Sequence, residues 1–191
     1  LASFDITEEP FYGDFAKAQD KLYLHEGSIA KGSEFYYAYL TVAITCNVQQ
    51  KYILDGAIVP NGRYIEDYIF EMIKHIKKLL NIEAFLFDRG FASWGVIHYL
   101  KKLRVNYIIF WKKQGEWYVE ILESMDHGEF KRISREEAYK RDKSYFWTKS
   151  HFVLIKQFEY KDKTYDWIFA TNLDLDSASA YIKRYKKRWC I

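Results

Sequence analysis

The chain has 191 residues, of which 49% are hydrophobic and 29% are charged, so it can bury a core and is not a disordered segment. This length fits one domain, or one domain carrying a sizeable insertion. The net charge is only +3, so whole-chain charge does not identify a nucleic-acid-binding protein. The longest uncharged run, 35–50, is shorter than the ~20 residues that a membrane helix needs. Since no signal peptide opens the chain either, we expect a cytoplasmic protein without a membrane segment.

The first 111 residues predict strands alternating with helices. Aromatic and β-branched residues indicate strands at three places, the last two joined by a turn at Asn47–Gln50: Ala2–Thr7, Glu34–Cys46 and Lys51–Val59. The stretch 8–31 between the first two strands reads as loop with a possible short strand. Apolar residues at helical spacing predict a helix over Ile65–Leu80, and a second helix, Ser93–Arg104, begins with Ser93 as its N-cap.

Short apolar strands are expected after each of these helices, at Ala84–Phe87 and Asn106–Trp111. The order strand, helix, strand, helix, strand favours a parallel sheet with right-handed crossovers.

The pattern changes after Trp111, where strand-like segments follow one another without a long helix. Strands are predicted at four places, with a charged stretch, Ser134–Lys143, between them: Glu116–Glu123, Tyr145–Lys149, His151–Phe158 and Thr164–Thr171. An amphipathic basic helix is then expected over Asp176–Ile191, capped by Asp176 or Ser177. We therefore divide the chain into the first part of an α/β core (1–111), an antiparallel β insertion (112–172) and a final core helix (173–191).

Two aspartates in or beside apolar strands are the candidate catalytic residues. Asp5 lies inside the first strand between Phe4 and Ile6, and Asp88 ends a later strand. A carboxylate in an apolar strand is costly unless it is paired or binds a metal ion. If the two strands are neighbours, the carboxylates converge and would repel each other unless a divalent cation lay between them. The alternatives are a turn or helix N-cap for Asp88 and a frayed strand end for Asp5.

Four short motifs follow one another along the chain: Phe4-Asp5-Ile6-Thr7, Asp88-Arg89-Gly90-Phe91, Ala170-Thr171-Asn172-Leu173, and Tyr185 followed three residues later by Arg188. This arrangement resembles the insertion-sequence DDE transposases that carry a tyrosine–arginine–glutamate–lysine signature. The resemblance covers essentially the whole chain. It implies a ribonuclease H-like fold, an α/β mixed sheet flanked by helices with an antiparallel β insertion before the last helix.

The resemblance also implies a function. It is DNA strand cleavage at transposon ends followed by attack of the freed 3′-hydroxyl on target DNA. Two Mg²⁺ or Mn²⁺ ions would be held by Asp5, Asp88 and a glutamate directly after Ile191. The family further implies a homodimer for the full-length protein. Because the glutamate lies outside these 191 residues, we expect them to be catalytically inactive on their own.

Basic residues concentrate in the last helix, at Lys183, Arg184, Lys187 and Arg188. Lysines and arginines bind phosphates, so these residues are candidate DNA contacts together with Arg89 and Tyr185. The alternative is a solvated helix face whose charges complement the helix dipole.

Two other functions remain open from the sequence. One is a non-catalytic DNA-binding remnant of a decayed transposase, and the other is a stand-alone nuclease with the same metal site. In each case we expect a DNA-associated protein.

Overall fold

The structure is a computed structural model that describes residues 1–45, 52–113, 116–160 and 163–190. The described residues form nine strands: β1 Ala2–Phe11, β2 Leu24–Glu26, β3 Phe35–Ile44, β4 Tyr52–Val59, β5 Phe85–Phe87, β6 Tyr107–Phe110, β7 Phe130–Arg141, β8 Ser144–Tyr160 and β9 Lys163–Thr171. They also form four α-helices: α1 Ile65–Leu79, α2 Trp94–Lys102, α3 Val119–Glu123 and α4 Ala178–Lys186.

All the strands belong to one mixed sheet, in the order β2-β3-β1-β5-β6-β9-β8-β7, with β4 also paired to β3. Strands β1, β5 and β6 are parallel to one another, and β3 is antiparallel to β1. The predicted insertion does not form a separate sheet, because β9 pairs antiparallel with β6 and so extends the core sheet. The domain boundaries at 111/112 and 172/173 stay predictions.

Each face of the sheet is covered by its own helices, because side chains alternate between the two faces along a strand. On one face, α1, α2 and α3 bury residues such as Ile73, Ile97 and Leu122 against Phe4 and Phe87. On the other face, α4 packs Tyr181, Ile182 and Tyr185 against sheet residues Leu86, Ile108, Val153 and Phe169. The prediction of a mixed sheet flanked by helices is therefore confirmed.

Most elements of the first half lie where the sequence placed them. Helix α1 has an acidic first turn and a basic last turn, which complement the helix dipole. Ser93 caps α2, since its hydroxyl accepts a hydrogen bond from the Val96 N–H at 3.1 Å. Strand β1 runs four residues further than expected, because it pairs with β3 as far as Phe11. The predicted turn at Asn47–Gln50 lies outside the described residues.

The strand predicted at Glu116–Glu123 is wrong, because this segment forms helix α3. Its Trp, Tyr and Val residues favour a strand by intrinsic preference, but packing decides. Tyr118, Ile121, Leu122 and Met125 recur at helical spacing and pack against the core.

The strand boundaries in the β insertion also differ from the prediction. Most of the charged stretch Ser134–Lys143 belongs to β7, and the two strands predicted at Tyr145–Lys149 and His151–Phe158 form one strand, β8. Charges are accommodated in β7 because it is an edge strand with ion pairs such as Arg135–Glu137. Ser150 does not interrupt β8, since its buried hydroxyl lies 2.9 Å from the Tyr107 hydroxyl.

The last helix is shorter than the predicted Asp176–Ile191. Ser177, one of the two predicted caps, accepts a hydrogen bond from the Ala180 N–H at 3.2 Å, and the α-helix ends at Lys186. A 3₁₀ turn, Lys187–Cys190, follows it. Such tightening is common at helix ends, where the last carbonyls lack partners within the helix. Among the described residues, none of the helices has both the length and the apolar character that a membrane span requires.

Candidate catalytic site

Two phenylalanines set the relative position of the two candidate aspartates. Strands β1 and β5 pair in parallel at Ala2–Phe85 and Ser3–Leu86, and the same register continued places Phe4 beside Phe87. These two rings are stacked, with centroids 4.9 Å apart and planes 7° apart. Each ring points into the core, so the residue that follows it, Asp5 or Asp88, points to the opposite face, where α4 lies.

Asp88 is fixed by a local hydrogen bond. Its Oδ1 accepts the N–H of Gly90 at 2.8 Å, so the side chain caps the 3₁₀ turn Arg89–Phe91. The alternative predicted for Asp88, a helix N-cap, therefore applies to its Oδ1. The other oxygen, Oδ2, faces Arg188. Asp88 thus combines a capping bond with a carboxylate oxygen directed toward the site.

Arg188 joins the two aspartates. Its Nη2 donates to Oδ1 of Asp5 at 2.8 Å and to Oδ2 of Asp88 at 3.2 Å. The distance between the Asp5 Oδ1 and the Asp88 Oδ2 therefore cannot exceed the sum of these two hydrogen-bond lengths. The arginine side chain is only 8% exposed, whereas those of Asp5 and Asp88 are 56% and 34% exposed. The buried Arg188 guanidinium therefore lies on the protein side of the two carboxylates, and their other side is open to solvent.

Tyr185, a residue of α4, is buried in the core next to Arg188. Its ring packs against Phe110 and Phe169, with centroids 5.6 and 5.2 Å away, and its side chain is fully buried. Burial, as the largest cause, raises the pKa of Tyr185, and the charge of Arg188 partly opposes this rise. The phenol is therefore held neutral beside the charged site.

The predicted DNA contacts fall into two groups. Arg89 and Lys183 are exposed, and Lys187 is partly exposed. Arg184 forms an ion pair with Glu83, while Tyr185 and Arg188 are buried. The structure therefore presents Arg89, Lys183 and Lys187 to solvent, and it directs Arg184 and Arg188 to carboxylates. A DNA-binding role for each of the six stays a prediction.

The chemistry of the paired aspartates fits a hard divalent cation. Carboxylate oxygens are the preferred ligands of Mg²⁺ and Mn²⁺. Here two carboxylates converge on one positively charged nitrogen, the Arg188 Nη2, and both aspartate side chains keep exposed surface. Within the described residues, no group of three or more His, Cys, Asp or Glu side chains could hold a metal ion. At this site the described part of the chain brings together two carboxylates.

Comparison with known proteins assigns a family. The sequence matches the transposase DDE domain family over residues 11–191. The chain belongs to that family. The predicted relationship to DDE transposases is therefore confirmed. Asp88 and Arg188 lie inside the matched segment of this DDE domain, and Asp5 precedes it. No curated protein matches the sequence.

A solved structure has the fold of this DDE domain. It is the cryo-EM structure of a piggyBac transposase synaptic complex with hairpin DNA, with 13% sequence identity and a TM-score of 0.53. The match covers 97% of this chain but 37% of the piggyBac chain, so the DDE domain spans about a third of that protein. At this identity the likeness shows the fold alone, and it supports the predicted ribonuclease H-like class.

Sequence reasoning did not find the pairing of Arg188 with both aspartates. The sequence predicts a DNA contact for the Arg188 side chain. The available sequence signal is general. Two converging carboxylates require a nearby positive charge, but no local pattern identifies Arg188 as its source.

Proposed function

We propose that this DDE domain supplies Asp5 and Asp88 as metal-binding carboxylates for DNA strand cleavage and strand transfer in cut-and-paste transposition. The observation that carries the proposal is the convergence of both carboxylates on one cationic nitrogen at the sheet face under α4. The piggyBac transposase with the same fold is bound to hairpin DNA. That complex supports DNA as the substrate here.

Asp5 and Asp88 would hold Mg²⁺ or Mn²⁺. When bound, such ions activate an attacking oxygen and stabilise the leaving 3′ oxygen in phosphoryl transfer. The chain itself positions the ligands. The stacked Phe4 and Phe87 fix the distance between the strands, and the Gly90 N–H orients the Asp88 carboxylate. The Arg188 guanidinium offsets the repulsion between the two negative charges.

Two carboxylates are fewer ligands than a two-ion site requires. The family resemblance supplies the third as a glutamate four residues after Arg188. We therefore propose that the 191 residues bind a divalent ion weakly and do not cleave DNA by themselves. A homodimer and a DNA-associated location remain predictions from the resemblance.

The proposal is tested first by metal binding. Mn²⁺ binding to the 191-residue chain is measured by electron paramagnetic resonance of the free ion for the wild type, Asp5→Asn and Asp88→Asn. Asp142→Asn is the matched control, because this exposed aspartate has φ 53°, a conformation that asparagine adopts readily. We expect each site variant to lose binding and the control to retain it. Equal binding by all four proteins would refute the metal site.

The second test uses a longer protein that includes the glutamate. Such a protein is expected to cleave transposon-end DNA and to join the freed 3′ end to target DNA, and Asp5→Asn or Asp88→Asn should abolish both steps. Cleavage without joining would favour the stand-alone nuclease, and DNA binding without cleavage would favour the non-catalytic remnant.

A further inference from the structure

A basic notch lies where strand β8 outruns its neighbour. Strand β9 ends at Thr171, which pairs with His151, so residues 144–150 of β8 pair with β7 alone. The missing neighbour leaves a concave space between the β7–β8 hairpin and the adjacent ends of α2 and β6. Its volume is about 360 Å³, and it is lined by Lys101, Arg104, Val105, Tyr107, Arg132, Lys149, Ser150, His151 and Asn172.

The floor of the notch is polar and held in place by hydrogen bonds. The buried hydroxyls of Tyr107 and Ser150 lie 2.9 Å apart. The Asn172 side chain accepts the Tyr107 N–H at 3.0 Å and donates to the Val105 carbonyl at 3.0 Å. The notch therefore has a preformed floor on which a polar ligand can rest without first ordering the chain.

The walls of the notch carry positive charge from separate elements. Lys101 lies in the last turn of α2, Arg104 follows the helix, Arg132 lies on β7 and Lys149 on β8. The Lys101 Nζ donates to the Lys149 carbonyl at 2.6 Å, which ties the helix to the hairpin. The neighbouring Asp174 pairs with Arg132. No carboxylate is among the residues that line the notch in the described chain. The lining is therefore positively charged, which favours anions over cations.

Attraction between lysines and the carboxyl end of a helix explains only part of this arrangement. It accounts for Lys101 in the last turn of α2. It does not account for Arg132, Lys149 and His151, which come from strands. Asp174 explains the positive charge at Arg132, with which it pairs, but neither explanation accounts for Lys149.

The notch and the aspartates lie at opposite ends of the parallel strands β5 and β6. Asp88 follows the carboxyl end of β5, whereas Tyr107 begins β6, and these two strands are parallel. The notch and the candidate catalytic site are therefore separated by the length of the strands. A long polyanion can contact both, but a single phosphate group cannot.

We propose that this notch is a second DNA-binding site, which binds backbone phosphates of the duplex away from the candidate catalytic carboxylates. The proposal rests on the proposed function in one respect, that DNA is the ligand. Backbone phosphates at this site would position the duplex and add salt-dependent affinity without reading its sequence.

His151 provides a spectroscopic reporter of the bound anion. Partial burial and the charges of Arg132, Lys149 and Lys101 lower the pKa of His151, while Asp174 opposes them. A phosphate placed among these cations would offset their charge, so the pKa of His151 should rise on binding. The imidazole resonances of this one histidine can be followed by NMR during a pH titration.

The experiment compares two charge-matched double variants of the 191-residue chain. Arg104→Asn with Lys149→Gln removes two positive charges from the notch, and asparagine suits position 104 because its φ is 54°. Lys31→Gln with Lys143→Gln removes two exposed lysines elsewhere. Binding to a short duplex is measured by fluorescence anisotropy over a range of salt concentrations, and the thermal unfolding of each protein is recorded alongside.

We expect the notch variant to bind all duplex sequences more weakly and to lower the slope of log affinity against log salt by about one for each phosphate contact removed. The control should keep the wild-type slope. In the wild type, duplex DNA should raise the pKa of His151. Equal slopes for both variants, or no binding by the wild type, would overturn the proposal. If the notch variant fails to fold, the His151 titration decides alone.

Inorganic phosphate at matched ionic strength distinguishes a small anion from DNA. A rise in the pKa of His151 with phosphate equal to that with DNA would assign the notch to a small anion and overturn the proposal. The outcome is independent of the catalytic proposal. Loss of Mn²⁺ binding depends on Asp5 and Asp88, whereas the salt slope depends on Arg104 and Lys149.

Discussion

Asp5 and Arg188 are 183 residues apart in the sequence and are joined by a 2.8 Å hydrogen bond between the Asp5 Oδ1 and the Arg188 Nη2. Asp5 lies on β1, an inner strand of the sheet, and Arg188 follows α4, the helix that covers one face. The candidate site is therefore complete only when α4 has docked. Residues near both ends of the chain must be in place before the two aspartates gain their counter-charge.

Replacing Arg188 should affect stability and metal binding in opposite directions. Arg188→Gln removes a buried positive charge from two carboxylates, so we expect a loss of about 1–2 kcal/mol of unfolding free energy, less than for a fully buried pair because Asp5 is half exposed. The same change removes a cation that competes with Mn²⁺ for the carboxylates. Mn²⁺ affinity should therefore rise, as measured by isothermal titration calorimetry.

Lys183→Gln is the control for this prediction, since it removes an exposed positive charge from the same helix. It should change neither quantity by as much. A drop in Mn²⁺ affinity in Arg188→Gln would mean that the arginine holds the carboxylates together more than it competes for them.

The sequence predicted the convergence of the two aspartates because that convergence follows from local rules. Asp5 and Asp88 are each preceded by an apolar strand segment, and parallel neighbours in a sheet align such positions. Helices α1 and α2 were also predictable, since both carry long apolar periodicity. Segments whose conformation depends on tertiary contacts were not. The helix α3 forms because Leu122 and Met125 pack into the core, although its sequence favours a strand.

The position of Arg188 was equally beyond sequence reasoning. Helical spacing predicted an unbroken helix through this residue, but a 3₁₀ turn begins at Lys187. Attraction to two carboxylates on distant strands is a tertiary effect that no local pattern encodes. The basic notch also depends on tertiary structure. Arg104, Arg132 and Lys149 line one concave space because β9 ends before it reaches the first residues of β8.

The stacked phenylalanine pair should matter for the site beyond its contribution to the core. Phe87 is fully buried and stacks on Phe4 directly before the two aspartates. Phe87→Leu keeps an apolar side chain but removes the stacking, so we expect a loss of about 1–2 kcal/mol in urea unfolding. Mn²⁺ affinity should fall with it. Phe152→Leu, at another fully buried ring of the same core, should cost comparable stability and leave Mn²⁺ affinity unchanged.

Tyr185 should make the fold sensitive to alkaline pH. Burial raises the pKa of Tyr185 above its ordinary value of 10.0, so the folded state keeps the proton when the unfolded state loses it. This contribution is complete below pH 10 and is lost as pH rises further, at most about 1.4 kcal/mol per pH unit. Tyr185→Phe should therefore lose stability less steeply above pH 10 than the wild type in urea unfolding. Parallel curves for the two proteins would contradict this.

Gly90 should be required for the orientation of Asp88. A Cβ at position 90 would lie 3.0 Å from the Asp88 Oδ1, which is closer than ordinary contacts between these atom types. The Gly90 N–H donates to that same oxygen, so the carboxylate cannot move away without lengthening the bond that fixes it. We expect Gly90→Ala to rotate the Asp88 side chain and weaken Mn²⁺ binding, while the stability of the fold changes by less than about 1 kcal/mol because position 90 is exposed.

Gly128→Ala tests a glycine remote from the site, and since its φ is 77° it should lower stability without altering Mn²⁺ binding. Electron paramagnetic resonance of Mn²⁺ and urea unfolding together separate the two effects. Wild-type Mn²⁺ affinity in Gly90→Ala would show that the orientation of Asp88 does not depend on this close approach.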